Sequence, residues 1–218
     1  MSERGKVTRR EVLRNAGVVG AVAAVPGLLP VSNAAAQGAA YQQLTAPEAK
    51  LLEAIVDRLI PADVSGPGAL EAGVVRYIDR ALADALATNR AAYSAGLTAL
   101  NAYASATRGK PFLELGPRDQ DSVLIDCETG AATGFVGSSA QFFGMVLSHT
   151  RQGMFGDPHY GGNQNFVGWD LLGYPGVRVG VSAADQTALE AGKLAAVRRS
   201  AYDYGGFHQD SDETSHGR

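Results

Sequence analysis

Residues 45–61 read TAPEAKLLEAIVDRLIP, and the way this stretch starts, repeats and stops decides the fold class. Thr45 and Glu48, three places apart, make a capping box, and Pro47 lies in the first turn, where a missing N–H is harmless. Apolar residues then recur at helical spacing, at Leu51, Leu52, Ile55, Val56, Leu59 and Ile60, until Pro61 ends the run. The result is an amphipathic helix with one face turned to a core.

The same grammar continues downstream. A Gly/Pro loop through Asp63, Gly66, Pro67 and Gly68 leads to a second stripe at Val74, Val75, Ile78, Leu82 and Leu86. A third helix from about Arg90 carries Tyr93, Leu97, Leu100 and Tyr103, with alanines that favour helix and allow close packing. Pro117 opens a shorter helix with Val123 and Leu124 inward, and Ser138 or Ser139 caps another carrying Phe142, Phe143, Val146 and Leu147. Ser182 with Asp185 caps a last helix running to about Tyr202. Every segment has helical rather than alternating period, so the expected fold is mainly α: a single domain of about five or six helices over residues 37–204, with a polar tail at 205–218.

Two regions break this pattern. Before the first helix, Thr8, Arg9, Arg10, Glu11, Val12, Leu13 and Arg14 look like a twin-arginine export signal, in which Arg9, Arg10 and Leu13 are the deciding residues. The apolar run from Ala16 to Leu29 is broken by Pro26 and too short to span about 30 Å of bilayer. Ala34, Ala35 and Ala36 offer a peptidase site before Gln37, so residues 1–36 are expected to be a leader taken across the inner membrane by the twin-arginine translocase with its cargo folded. Five of the 19 Lys/Arg and two of the 22 Asp/Glu fall in that leader, leaving 14 basic and 20 acidic residues and a net charge of −6. Such a chain does not suit nucleic acid, whose proteins bind mainly through Lys/Arg to phosphate.

The second break runs from Gly153 to Gly180, where eight glycines alternate with Phe155, Tyr160, Phe166, Trp169 and Tyr174. Glycine lets backbones approach closely and aromatics supply contact area with few rotamers to freeze. Such an irregular segment either packs on its own helices or is shaped to fit something else, and spacing alone leaves both open.

Cofactor chemistry has few handles here. Cys127 is the only cysteine, one short of a disulfide and too few for an iron–sulfur cluster or covalent haem in this chain. No Gly-x-Gly-x-x-Gly turn or phosphate-binding loop occurs. His149, Asp157 and His159 invite comparison with a metal triad, which would make the chain an independent metal-dependent enzyme, but they lack a helical i, i+4 pair and Pro158 intervenes. A helix-end histidine and an Asp157 that accepts backbone N–H bonds in a turn, with Asn163 doing the same, is the plainer reading. Asp57, Arg58 and Asp63 read as helix-end or surface ion-pair residues, Cys127 as a small buried thiol, and Tyr77, Tyr93 and Tyr103 as core or interface rings.

Residues 153–163, Gly153-Met154-Phe155-Gly156-Asp157-Pro158-His159-Tyr160-Gly161-Gly162-Asn163, followed by Val167-Gly168-Trp169-Asp170 and Gly173-Tyr174-Pro175-Gly176, resemble the signature of the gluconate 2-dehydrogenase subunit 3 family. Leu44, Thr45, the run Ile55 to Asp63, Gly68 and Ala69 resemble that family's N-terminal block, so the resemblance covers roughly Leu44 to Gly176.

The resemblance implies a non-catalytic small subunit of a periplasmic dehydrogenase that oxidises a sugar, polyol or sugar acid. Its large glucose–methanol–choline-type partner would hold FAD, or FAD with an iron–sulfur cluster, and a cytochrome subunit would hold haem c. The small subunit would carry the export signal for the pair, assist maturation of the flavoprotein, and sit at the inner membrane through the complex. Phe155, Tyr160, Trp169 and Tyr174 are the expected partner anchors. Gly156, Asp157, Pro158, Gly161, Gly162, Asn163, Gly168, Pro175 and Gly176 are the expected shapers of the motif, and neither catalytic, metal nor cofactor residues are expected in this chain. An independent enzyme and a free-standing periplasmic binding module are the rival classes.

Overall fold

A computed structural model describes residues 41–205. The expected leader at 1–36, with Arg9, Arg10 and Leu13, and the expected tail beyond Gly205 lie outside the described residues. Within them the fold is mainly α, with seven α-helices and no named strand. They are α1 Ala46–Leu59, α2 Val74–Ala81, α3 Arg90–Arg108, α4 Pro117–Glu128, α5 Ser139–Phe155, α6 Val167–Leu172 and α7 Ala183–Glu190. None of these helices is long and apolar enough to cross a membrane.

The helix starts follow the local chemistry. The Thr45–Glu48 box and the Ser138–Gln141 box both form, and Pro117 occupies the first position of α4. The expected stripes point inward: Leu52, Ile55, Val56, Val74, Ile78, Tyr93, Leu97, Leu100 and Val123 are essentially inaccessible, each contributing on the order of 1.5–3 kcal/mol by burial. α5 is the central element, touching α1, α2, α3, α4 and α6. It approaches α3 closely because Gly96 has no side chain, since a Cβ there would enter the Phe142 ring.

Three details differ from the sequence reading. The second helix stops at Ala81, so that Leu82 and Leu86 of its expected stripe lie in the turns that follow. The last helix stops at Glu190 instead of continuing to about Tyr202. Gly192 takes a left-handed conformation (φ +65°), and the chain beyond it returns to bond Val197 N–H to Pro175 O. Part of the glycine-rich segment is also helical, since α6 and two 3-10 turns, Pro158–Tyr160 and Gln164–Phe166, lie inside it.

Polar clamps complete the body. Asp79, on the buried side of α2, accepts the backbone N–H of Gln42, Gln43 and Leu44 at 2.8, 2.8 and 2.9 Å. Arg90 donates to Gln43 O and forks onto Glu48. Burial by itself would raise the Glu48 pKa; the Arg90 guanidinium and Thr45 overcome that effect and hold it at about 2. Arg58 pairs with Asp121 through both oxygens and joins α1 to α4, while Asp63 accepts the Ser65 N–H in its turn.

His149 on α5 lies buried against Tyr93 of α3, with Nδ1 3.0 Å from the tyrosine hydroxyl. Burial lowers the His149 pKa below its usual 6.5. The unfolded chain therefore takes up a proton that the folded chain resists, so stability falls as pH drops below about 6.5 and levels off below the folded pKa. Urea midpoints measured at pH 7 and pH 5 are expected to show this fall, and His149→Gln is expected to flatten it. An unchanged pH slope in the variant would assign the acid sensitivity elsewhere.

Candidate functional site: the glycine–aromatic segment

A helix end leaves its last carbonyls without intrahelical donors. The C-terminus of α5 is supplied with donors by residues that follow it. Asn163 N–H reaches Gly153 O at 2.7 Å, and its side-chain amide donates to Gly156 O at 2.9 Å. Trp169 donates its indole N–H to Phe155 O at 2.9 Å. The Asn163 Oδ1 in turn accepts Gly168 N–H at 2.8 Å, at the start of α6. The motif is thus a long-range C-cap, folded back so that one asparagine joins the end of α5 to the beginning of α6.

That arrangement requires backbone on backbone. A Cβ at Gly162 would strike Gly153 O, and one at Gly168 would strike Met154 O. Gly161 has φ +97°, a region open chiefly to glycine. Asn163, Asn165 and Phe166 also have positive φ. Asparagine tolerates this well, whereas a phenylalanine there is strained by about 1–2 kcal/mol. The Phe166 ring offsets that strain by packing 5.4 Å from Trp169.

Asp157 caps the turn as expected, accepting His159 N–H at 2.9 Å. It also accepts the Ser200 hydroxyl and Ala201 N–H, at 2.6 and 2.8 Å. Pro158 starts the 3-10 turn, and Pro175 and Gly176 meet the returning strand of chain at Val197.

The four expected anchors divide into two pairs. Tyr160 and Tyr174 are 49% and 41% exposed. Trp169 is 6% exposed and sits edge-on to Tyr174 at 5.0 Å, while Phe155 is half-buried. In the free chain the tyrosines form the outer surface, while Trp169 lies buried beside Tyr174 and Phe155 packs against the helical core.

The residues weighed for other chemistry are dispersed. His149 faces Tyr93 inside the bundle, whereas His159 is exposed and stacks on Tyr202 at 3.9 Å. Among the described residues no group of three or more His, Cys, Asp or Glu converges. Cys127 is buried, and that burial pushes its thiol pKa up to about 12, far from a reactive thiolate. Asp79 and Ser200 were not singled out by sequence, while Phe166 stood only as one aromatic of the glycine-rich segment and Tyr202 only as the end of the last helix. Only Asp79 carried a signal, as a carboxylate at position i+4 on the Val75–Leu82 stripe.

A family model described as gluconate 2-dehydrogenase subunit 3 matches residues 46–176. No curated protein and no solved structure matches the chain.

Proposed function

The chain belongs to the gluconate 2-dehydrogenase subunit 3 family, and on that premise we propose that it is the non-catalytic small subunit of a periplasmic FAD-dependent dehydrogenase acting on a sugar, polyol or sugar acid. Membership implies association with other subunits of a dehydrogenase complex. The finer reading is that the main partner is a glucose–methanol–choline-type flavoprotein, with a cytochrome c subunit as electron acceptor. FAD, alone or with an iron–sulfur cluster, would belong to the first and haem c to the second. This chain would assist the flavoprotein's maturation and carry it through the twin-arginine translocase as a hitch-hiker on Arg9, Arg10 and Leu13, to a place at the periplasmic side of the inner membrane.

The observation that carries this reading is how the motif uses its groups. Asn163, Asp157 and the Trp169 indole N–H are committed to shaping the segment, while Tyr160 and Tyr174 are left at its surface. Exposed aromatics on a rigid base are the usual anchors of a protein interface. Leu171, Leu172, Val179 and Val181, also exposed, extend the apolar character of this part of the chain.

The test is purification of the tagged chain from periplasm, with an absorbance spectrum and mass identification of what accompanies it. A stoichiometric flavoprotein is expected, absent from periplasm when Arg9 and Arg10 become Lys. Tyr160→Ala and Tyr174→Ala are expected to reduce the recovered flavoprotein about tenfold or more, with little change in thermal stability. A colourless monomer from the wild type would overturn the reading.

A further inference from the structure

The loop that follows α1, residues 60–69, is closed at both ends by backbone bonds. At its base Ala69 N–H donates to Ile60 O at 2.8 Å. A Cβ at Gly68 would lie within 2.7 Å of Ala62 N, Ile60 O and Pro61 C, so the two arms meet backbone to backbone. At its tip Asp63 and Gly66 exchange N–H···O bonds of 3.1 and 3.2 Å. The Asp63 carboxylate accepts Ser65 N–H at 2.7 Å, as an aspartate opening a tight turn does, and Glu71 accepts Gly68 N–H at 3.0 Å. Buried Ala69 fixes the base to the core, and Val64 stands at the tip fully exposed, at 104%.

A single exposed valine calls for no explanation, but Val64 has apolar neighbours. Gly66, two residues on, lies against α6: a Cβ there would be 3.4 Å from Leu171 Cδ1. Leu171 is exposed, Leu172 is 62% exposed, and exposed Tyr174 follows. The tip and α6 therefore present one apolar surface drawn from two segments, both inside the matched residues 46–176. The charges those segments carry are acidic. No Lys or Arg occurs in residues 59–75 or 152–177, whereas the first holds Asp63 and Glu71 and the second Asp157 and Asp170. Ser200 and Arg198 engage Asp157 and Asp170, but among the described residues Asp63 and Glu71 make no ion pair.

We propose that Val64, carried on this preshaped loop, enters an apolar socket rimmed by basic side chains on the large subunit, so that loop 60–69 and α6 extend the docking surface on which Tyr174 lies. The identity of the partner rests on the small-subunit reading. The turn is already bonded in the free chain, so the apolar contact is not offset by backbone ordering on binding. Asp63 and Glu71 at its edge favour Lys or Arg opposite them and repel a surface of like sign. A second copy of this chain is thereby a poor occupant, since a symmetric contact would set these carboxylates against each other.

The deciding measurement is binding of the flavoprotein recovered with the tagged chain to the wild type, Val64→Asp, Val64→Leu and Asp63→Asn/Glu71→Gln, each as the full chain. Because Val64 is fully exposed, Val64→Asp is expected to leave the melting temperature within about 2 °C, yet to weaken binding about tenfold or more. Val64→Leu keeps an apolar tip and should bind within about threefold of wild type. The double substitution retains acceptors for Ser65 and Gly68 N–H; it is expected to weaken binding about threefold in dilute salt and to reduce its salt dependence. Binding of Val64→Asp at the wild-type level would overturn the socket and leave the small-subunit reading intact. A salt dependence unchanged by the double substitution would overturn the basic rim. A wild-type chain that recovers no flavoprotein would reject the small-subunit reading, and the socket with it.

Discussion

Asn163→Ala is expected to be among the most destabilising single changes in this domain, at about 3–5 kcal/mol. The substitution removes two side-chain hydrogen bonds, at 2.9 Å to Gly156 O and 2.8 Å from Gly168 N–H. The Gly168 N–H is left buried with no replacement, and each such orphan costs about 1–3 kcal/mol. Alanine must also adopt the left-handed backbone of Asn163, φ 43° and ψ 40°, which adds about 1 kcal/mol. For a domain of this size the loss corresponds to a fall in melting temperature of roughly 10 °C. Two variants separate the contributions. Asn163→Gly keeps the backbone freedom and loses the bonds, and Asn163→Asp keeps an acceptor for Gly168 while facing Gly156 O with a second oxygen. Urea unfolding should rank stability as wild type, Asp, Gly, Ala, with an unchanged slope. A loss below 1 kcal/mol in Asn163→Ala would show that the cap is supplied by backbone alone.

The second large effect is expected at Asp79. Its carboxylate, 3% exposed, gathers three backbone N–H groups of residues 42–44. Bonds to a charged acceptor contribute about 1.5–3 kcal/mol each, but burying the charge offsets part of that sum. Asp79→Ala is therefore expected to cost about 2–4 kcal/mol, and to do so locally. The segment Tyr41–Leu44 should detach, uncovering Leu44, which is 4% exposed in the folded chain. Exchange of the three amides should rise about thirtyfold or more while α3 and α4 change little, since 1.4 kcal/mol is a factor of ten. Asp79→Asn retains an oxygen for Gln43 and Leu44, both bonded to Oδ1, and loses the bond from Gln42, so it should fall between. Unchanged exchange in Asp79→Ala would mean that Arg90, through Gln43 O at 2.8 Å, holds the segment by itself.

The clamp and the cap differ in how much of each can be read from the sequence. Gly161, Gly162, Asn163 and Gly168 were legible as shapers of a turn, because glycine density and an asparagine after two glycines restrict the local backbone. Their purpose was not legible, because the α5 carbonyl that Asn163 N–H serves, Gly153 O, lies 10 residues earlier. Trp169 reads in sequence as an anchor like the two tyrosines, and only its 6% exposure sets it beneath them. The expected extension of the last helix to Tyr202 followed from an alanine-rich run with a good cap. The helix stops at Glu190 because pairing of Val197 with Pro175, and of Ser200 with Asp157, competes with helix in a segment that has no buried stripe to hold it.

Sequence by itself determined what depends on neighbours within one or two helical turns: the capping box at Thr45, a serine cap at 138 or 139, the proline starts and stops, and the inward stripes from Leu51 to Val146. These are short-range and periodic, so a single chain displays them. Tertiary structure alone decided the pairings of Asp79 with residues 42–44, Arg58 with Asp121 and Asp157 with Ser200, separated by at least 35, 63 and 43 positions. A carboxylate carries the same charge whichever donor it meets. Only the packing of helices around α5, set by where the apolar stripes can be buried together, brings one particular donor within 3 Å.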